Sequence, residues 1–324
     1  MSSLFAQTRD LLARDGLAPR KRLGQHFLVD RAAVARMVGL AEIGPQDAVL
    51  EIGPGLGALT EALAARAARL YVIECDRGLC QVLQRKFAAQ PAVRVIEGDA
   101  LRIDLRDVIA EDKVKVVASL PYNVAVPILF RLLDERRVFS DLTVMLLREV
   151  AERLVAAAGS RAYGVPSVLF QLYAQVLGRF RVPPSAFYPR PHVTSEVLRL
   201  RLAAEARVAV DDPRLFAALV RAAFGRRRKT LRNALQALPA ERALPPAVWD
   251  DIFAATGIDG RARGETLDLA AFAALADAAG RARAHAAVTG RARADAAARG
   301  CGASGERPRA ATGAPVRRRR ARPS

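Results

Sequence analysis

Cysteine is scarce in this chain: three in 324 residues, at positions 75, 80 and 301. They form no Cys-x-x-Cys pair and no zinc-like spacing, which argues against a disulfide scaffold or a zinc module. Histidine is equally rare, and residues 26, 192 and 285 are too scattered to suggest a metal site. No apolar run approaches the eighteen or so residues of a membrane span. The first ten residues lack a positive start followed by an apolar core, so no targeting segment is read there and a cytoplasmic location is expected. Acidic residues are the other deficit. Asp and Glu number 33 against 51 Lys and Arg, a formal net charge of +18. That imbalance favours a polyanionic partner, nucleic acid before membrane.

What is present is β-α-β alternation. A helix is expected over 30–43, with Asp30 as its cap and Val34, Met37, Val38 and Leu40 as its apolar stripe. Short buried-type strands read at 48–52, 70–74, 93–96, 114–120 and 142–147. Between and after them, helices read at 59–68, 78–88, 125–134 and 148–158. This pattern predicts an α/β fold, a doubly wound and mostly parallel sheet with ligand-binding loops along one edge. Further strands are expected near 172–177 and over 194–202. Helices follow at 212–224, 228–237, 246–254 and 267–279, making a small all-helical C-terminal domain. Beyond Arg281 the chain is nearly all Ala, Arg, Gly and Pro, which reads as a disordered basic tail. The expected division is a basic N-terminal arm over 1–22, a catalytic domain over 23–205, an RNA-binding helical domain over 206–280 and a tail over 281–324.

Glu51-Ile52-Gly53-Pro54-Gly55-Leu56-Gly57 follows the first strand of the alternation and precedes a helix. Gly53 and Gly55 allow a tight turn and close backbone approach to a nucleotide-like ligand. Glu74 ends the next strand, where a carboxylate accepts from ribose hydroxyls. These features suit a nicotinamide dinucleotide as well as S-adenosylmethionine. Asp99, after the third strand, is placed to accept from an adenine amine.

Ser119-Leu120-Pro121-Tyr122 follows the fourth strand. An adenine exocyclic nitrogen is a poor nucleophile because its lone pair is delocalised into the ring. Two acceptors aimed at the amine hydrogens draw it toward tetrahedral character, and the Ser119 hydroxyl and Leu120 carbonyl are the candidates. Pro121 stiffens the turn, and Tyr122 offers a face on which a flipped base stacks. Two basic clusters, Arg20 to Arg22 and the group Arg221, Arg226, Arg227, Arg228, Lys229 and Arg232, are candidate phosphate contacts.

From about residue 20 to 280 the chain resembles the ribosomal RNA adenine N6-dimethyltransferases, and within them the bacterial small-subunit branch. The resemblance rests on Arg20-Lys-Arg-Leu-Gly-Gln-His-Phe-Leu28, the glycine loop, Gly98-Asp-Ala-Leu101, Ser119 to Tyr122 and Leu147-Arg-Glu-Val-Ala-Glu-Arg-Leu154. The Pro-rich segment 182–191, residues 224–235 and Arg263-Gly-Glu-Thr-Leu267 extend it. It implies a class I, Rossmann-like methyltransferase fold that uses S-adenosylmethionine and no metal. It also implies that His26, Leu28, Gly53, Glu74, Asp99 and Ser119 contact the methyl donor, and that Ser119, Leu120 and Tyr122 form the catalytic turn. The implied substrate is a pair of adjacent adenosines in a hairpin near the 3′ end of small-subunit rRNA, dimethylated by a monomer within an immature 30S particle. The family pattern has Asn where this chain has Ser119, and Asn is also common at His26. A non-catalytic assembly factor and a large-subunit rRNA methyltransferase are the alternatives.

Overall fold

The computed structural model describes residues 3–226 and 228–300. Its N-terminal half follows the expected alternation: α1 (Leu4–Arg14), β1 (Phe27–Leu28), α2 (Arg31–Ala41), β2 (Ala48–Ile52), α3 (Ala58–Ala64), β3 (Arg69–Glu74), α4 (Arg77–Lys86), β4 (Val93–Glu97), α5 (Leu105–Val108), β5 (Val114–Ser119), α6 (Ala125–Asp134) and β6 (Phe139–Leu147). Then come α7 (Arg148–Leu154), α8 (Val165–Tyr173), β7 (Ala174–Val182), β8 (Phe187–Tyr188) and β9 (Ser195–Leu202). The chain closes with α9 (Pro213–Gly225), α10 (Leu231–Leu235), α11 (Pro246–Thr256) and α12 (Leu269–Gly300).

Seven strands form one sheet in the order β4-β3-β2-β5-β6-β9-β7, parallel from β4 to β6, with β9 antiparallel to both its neighbours. The chain winds outward from β2 to β4, then returns to lay β5 on the other side of β2. The crevice between β2 and β5 is therefore the topological switch point, where open α/β sheets bind ligands. Strand residues alternate between two cores. Leu50, Ile52, Tyr71 and Ile73 point to one face, and Val49, Leu70, Val72 and Val117 to the other. Both faces are covered, as a parallel sheet requires. Asp30 caps α2 as expected, its carboxylate accepting from the Ala32 and Ala33 amides.

Three features depart from the sequence reading. First, 165–173 is helical, and the strand expected near 172 begins only at Ala174. Pro166 suits the first turn of α8, and the Gly164 amide donates to the Ser167 hydroxyl at 3.0 Å to close its start. Second, the basic arm expected over 1–22 is helical over Leu4–Arg14 and docked on the body of the fold. Leu12 of α1 is buried with Phe27, Leu56, Leu79 and Val82, and Arg20 pairs with Asp76 at 3.3 Å. Third, α12 passes the boundary expected at 280 and continues to Gly300. Ala and Arg, which dominate 281–300, are strong helix formers, and packed turns at the start of α12 supply the nucleus. The remainder of the expected tail, 301–324, lies outside the described residues. The core on the α6–α8 face runs without a break into the helical segment, through Phe216, Trp249 and Phe272. No described helix is long and apolar enough to cross a membrane.

Candidate active site

One pocket opens at the switch point, lined by the loops that follow β2, β3, β4 and β5. Gly53 and Gly55 adopt φ of +71° and +60°, a region that favours glycine. A Cβ at Gly55 would lie 2.8 Å from the Phe27 ring, so no side chain fits there. The Gly53 amide donates to the Ile73 carbonyl at 3.0 Å and moors the loop to β3. Glu74 braces the same loop, accepting from the Gly55 amide at 3.3 Å and the Asp76 amide at 2.9 Å. Burial raises its pKa, partly offset by those two amides.

After β4, Asp99 sits at the pocket rim. Its carboxylate accepts from the Leu101 amide at 2.9 Å and lies 3.6 Å from Arg102, its side chain about half exposed. After β5, the Leu120 amide donates to the Met145 carbonyl at 3.2 Å, holding the turn against β6. The Leu120 carbonyl accepts from no N–H among the described residues. Tyr122 is fixed from two sides. Its hydroxyl shares a 2.7 Å hydrogen bond with the buried Ser195 hydroxyl, and His26 stacks on its ring at 5.7 Å. The His26 Nδ1 donates to the Pro189 carbonyl at 2.6 Å.

That bond belongs to a short clamp in which β1 pairs antiparallel with β8, Phe27 opposite Tyr188 and Leu28 opposite Phe187. The segment before β1 thereby becomes a wall of the pocket. The structure brings every site residue read from the sequence to this one pocket: His26, Leu28, Gly53, Gly55, Glu74, Asp99, Ser119, Leu120 and Tyr122. It adds Thr8, Glu51 and Phe187, which the sequence reading did not single out. Among the described residues no His, Cys, Asp or Glu cluster is suited to a metal ion. The basic clusters fare unevenly. Arg20 and Arg232 are committed to Asp76 and Asp250, Lys21, Arg22, Arg221, Arg226, Arg228 and Lys229 are exposed, and Arg227 lies outside the described residues.

Glu51 was legible as an oddity, a carboxylate within the apolar strand Ala-Val-Leu-Glu-Ile. It is buried, its Oε2 has no hydrogen-bond partner among the described residues, and burial with the nearby Glu74 carboxylate pushes its pKa up to about 8. The folded value therefore lies above the unfolded one of about 4.3. The stability this group contributes is full below the unfolded value and is lost as pH rises through about 8. The slope from this one proton is at most about 1.4 kcal/mol per pH unit. A Glu51→Gln variant should show a flatter decline in Tm between pH 5 and 8.5 and a higher Tm than the parent at the alkaline end. Thermal unfolding across that range checks it, and parallel curves for parent and variant would contradict it.

A family model described as ribosomal RNA adenine dimethylase matches residues 16–275. The chain is 46% identical over 267 residues to ribosomal RNA small subunit methyltransferase A of Geobacter metallireducens, covering 82% of this chain and 96% of that protein. In fold it resembles a dimethyladenosine transferase from Plasmodium falciparum, with a TM-score of 0.65 at 24% identity over 77% of this chain and 96% of that one. It also resembles the 23S rRNA methyltransferase ErmE, with a TM-score of 0.60 at 24% identity over 78% of this chain and 98% of that one.

Proposed function

The chain belongs to the ribosomal RNA adenine dimethylase family, and from that premise we propose that it transfers methyl groups from S-adenosylmethionine to N6 of two adjacent adenosines near the 3′ end of small-subunit rRNA. It acts as a cytoplasmic monomer on a hairpin of the immature 30S particle. Residues 23–205 carry the chemistry and 206–280 help to hold the RNA. The observation that carries this reading is the meeting of the glycine loop, Glu74 and the Ser119–Tyr122 turn in one pocket.

The residues present suit the methyl donor. Two buried acidic side chains line the wall: Glu74, whose carboxylate is held by two backbone amides, and Glu51, which burial keeps protonated near neutral pH, so that an ordinary side chain of either sign is not what fills this wall. Glu74 would accept from the ribose hydroxyls, Asp99 from the donor's adenine amine, and the backbone at His26, Leu28, Gly53 and Gly55 would close around the rest. When bound, S-adenosylmethionine supplies an electrophilic methyl group on a sulfonium. The target adenine stacks on the Tyr122 face opposite His26. The Ser119 hydroxyl and Leu120 carbonyl accept from its amine and aim the nitrogen lone pair at the methyl carbon. Transfer would make the N–C bond as the donor's S–C bond breaks, the sulfur keeping the electron pair, and the amine's surplus proton would leave to solvent. The chain supplies position and electrostatics, with no covalent intermediate on the protein.

Ser119 sets the strength of one acceptor. Ser119→Ala should slow the first transfer about 2- to 12-fold, the worth of one neutral hydrogen bond. Ser119→Asn, restoring the longer acceptor, should speed it and shift the ratio of mono- to dimethyladenosine. The assay follows labelled methyl from S-adenosylmethionine into immature small subunits beside large-subunit RNA. Equal rates and ratios in all three proteins would remove Ser119 from the chemistry. Label confined to large-subunit RNA would overturn the substrate, and donor binding without transfer would favour a non-catalytic assembly factor.

A further inference from the structure

Residues 20–26 form a short loop, a single 3-10 turn over Lys21–Leu23 followed by Gly24 at φ +62°, and the loop is tied down at both ends. At one end lies Asp76, which is buried and does not line the pocket. The Gln25 Nε2 donates to the Asp76 Oδ2 at 2.9 Å, and the Gln25 Oε1 accepts from the Arg20 amide at 2.8 Å. One side chain thus closes the loop and fastens it. The other Asp76 oxygen lies 3.3 Å from the Arg20 guanidinium and accepts from the Gly78 amide at 3.0 Å. The Asp76 amide in turn donates to Glu74 at 2.9 Å, so the loop connects through Asp76 to the carboxylate assigned to the ribose.

At the other end lies the catalytic turn. The Asn123 Nδ2 donates to the Arg22 carbonyl at 3.3 Å, and a Cβ at Gly24 would come within 3.1 Å of the Asn123 Oδ1. His26 stacks on the Tyr122 ring and is anchored to the Pro189 carbonyl. The loop therefore spans from the turn after β3 to the turn after β5, on either side of the crevice.

We infer that Gln25 and Asp76 are positioning residues that couple these two halves of the site, so that methyl donor and target RNA each tighten the binding of the other. The inference rests on the reading of the chain as an RNA adenine methyltransferase. Ribose hydroxyls on Glu74 fix the carboxylate that the Asp76 amide holds, and Asp76 fixes the loop behind the Tyr122 platform. A base stacked on Tyr122 fixes the same loop from its other end. Whichever ligand arrives first immobilises the loop, and the second is spared that loss of entropy. Linkage makes the effect equal in both directions.

The polarity of the Gln25–Asp76 bond makes the coupling testable. In Asp76→Asn the oxygen facing the Gly78 amide is kept, and an NH2 group then meets the NH2 of Gln25, donor against donor. Turning the Gln25 amide over relieves that conflict and creates the same one with the Arg20 amide. Gln25→Glu sets two carboxylates against each other. In the double variant Gln25→Glu/Asp76→Asn the new carboxylate accepts from both the new amide and the Arg20 amide, and the link returns.

Dialysis with labelled S-adenosylhomocysteine, alone and with saturating immature small subunits, reads the coupling as the ratio of the two Kd values. For the parent chain the ratio should be at least about fivefold, the lower end of ordinary coupling between sites. It should fall to about one, the value without coupling, in Asp76→Asn and in Gln25→Glu, and return toward the parent value in the double variant. Tm is measured for each protein. If a single variant unfolds, Gln25→Ala, which leaves Asp76 as the cap of α4, carries the comparison. A parent ratio of one, an unchanged ratio in the folded single variants, or a double variant no better than the singles overturns the proposal. Methyl transfer to the particles is followed alongside. A parent that transfers methyl groups without coupling sinks the coupling alone. One that shows the coupling without transfer sinks the functional reading and leaves the role of the loop standing.

Discussion

Replacing Tyr122 by alanine is expected to lower kcat/KM for methyl transfer about 5- to 150-fold, the range given by stacking worth about 1–3 kcal/mol per base. S-adenosylmethionine affinity should change little. The ring is held by the Ser195 hydroxyl at 2.7 Å and by His26 stacked at 5.7 Å, so its plane is set before any base arrives. Alanine removes the platform, takes the Tyr122 partner from the Ser195 hydroxyl and unstacks the His26 ring, which keeps its bond to the Pro189 carbonyl. Tyr122→Phe separates the two roles. It keeps the stacking face, loses only the Ser195 bond, and should retain most of the activity, with a loss of about 2- to 12-fold for one hydrogen bond. The measurement is steady-state transfer to immature small subunits, with donor binding followed by calorimetry. An alanine variant as active as the parent would show that the adenine does not stack there.

Glu74→Ala should weaken S-adenosylmethionine binding about 10- to 150-fold, because hydrogen bonds to a charged group are worth about 1.5–3 kcal/mol. The carboxylate has a second task, since it accepts from the Gly55 and Asp76 amides. Its loss therefore loosens the glycine loop as well as the ribose contact. Glu74→Gln keeps one acceptor oxygen for the loop and should retain part of the affinity. Calorimetric titration with S-adenosylhomocysteine reads both variants without turnover. If Glu74→Ala binds as the parent does, the ribose is held elsewhere.

Much of this site was legible because its parts are local. Strand, glycine turn and helix follow one another within 48–64, and the Ser119–Tyr122 turn sits directly after β5. Their convergence follows from parallel winding, which delivers every strand's C-terminal loop to one edge. What was hidden depends on contacts remote in sequence. The pairing of Phe27–Leu28 with Phe187–Tyr188 joins segments about 160 residues apart, and no local pattern announces it. The docking of α1 through Leu12 is hidden for the same reason. The run Val165–Tyr173 is apolar on nearly every side, so its periodicity did not separate helix from strand. Glu51 showed its position in the sequence but not its protonation, which follows from complete burial beside Glu74.

Ser119 stands where the resemblance leads to an expectation of Asn, and the geometry gives that difference a definite meaning. The turn keeps its backbone acceptor at Leu120, so only the side-chain acceptor is shortened.

The central claim is that one pocket delivers methyl groups to an adenine amine. Nucleoside mass spectrometry of immature small-subunit rRNA, after incubation with the enzyme and S-adenosylmethionine, tests it most directly. The predicted product is N6,N6-dimethyladenosine at two adjacent positions near the 3′ end. Methyl groups found only on ribose or on another base, or no methylated nucleoside at saturating donor, would contradict it.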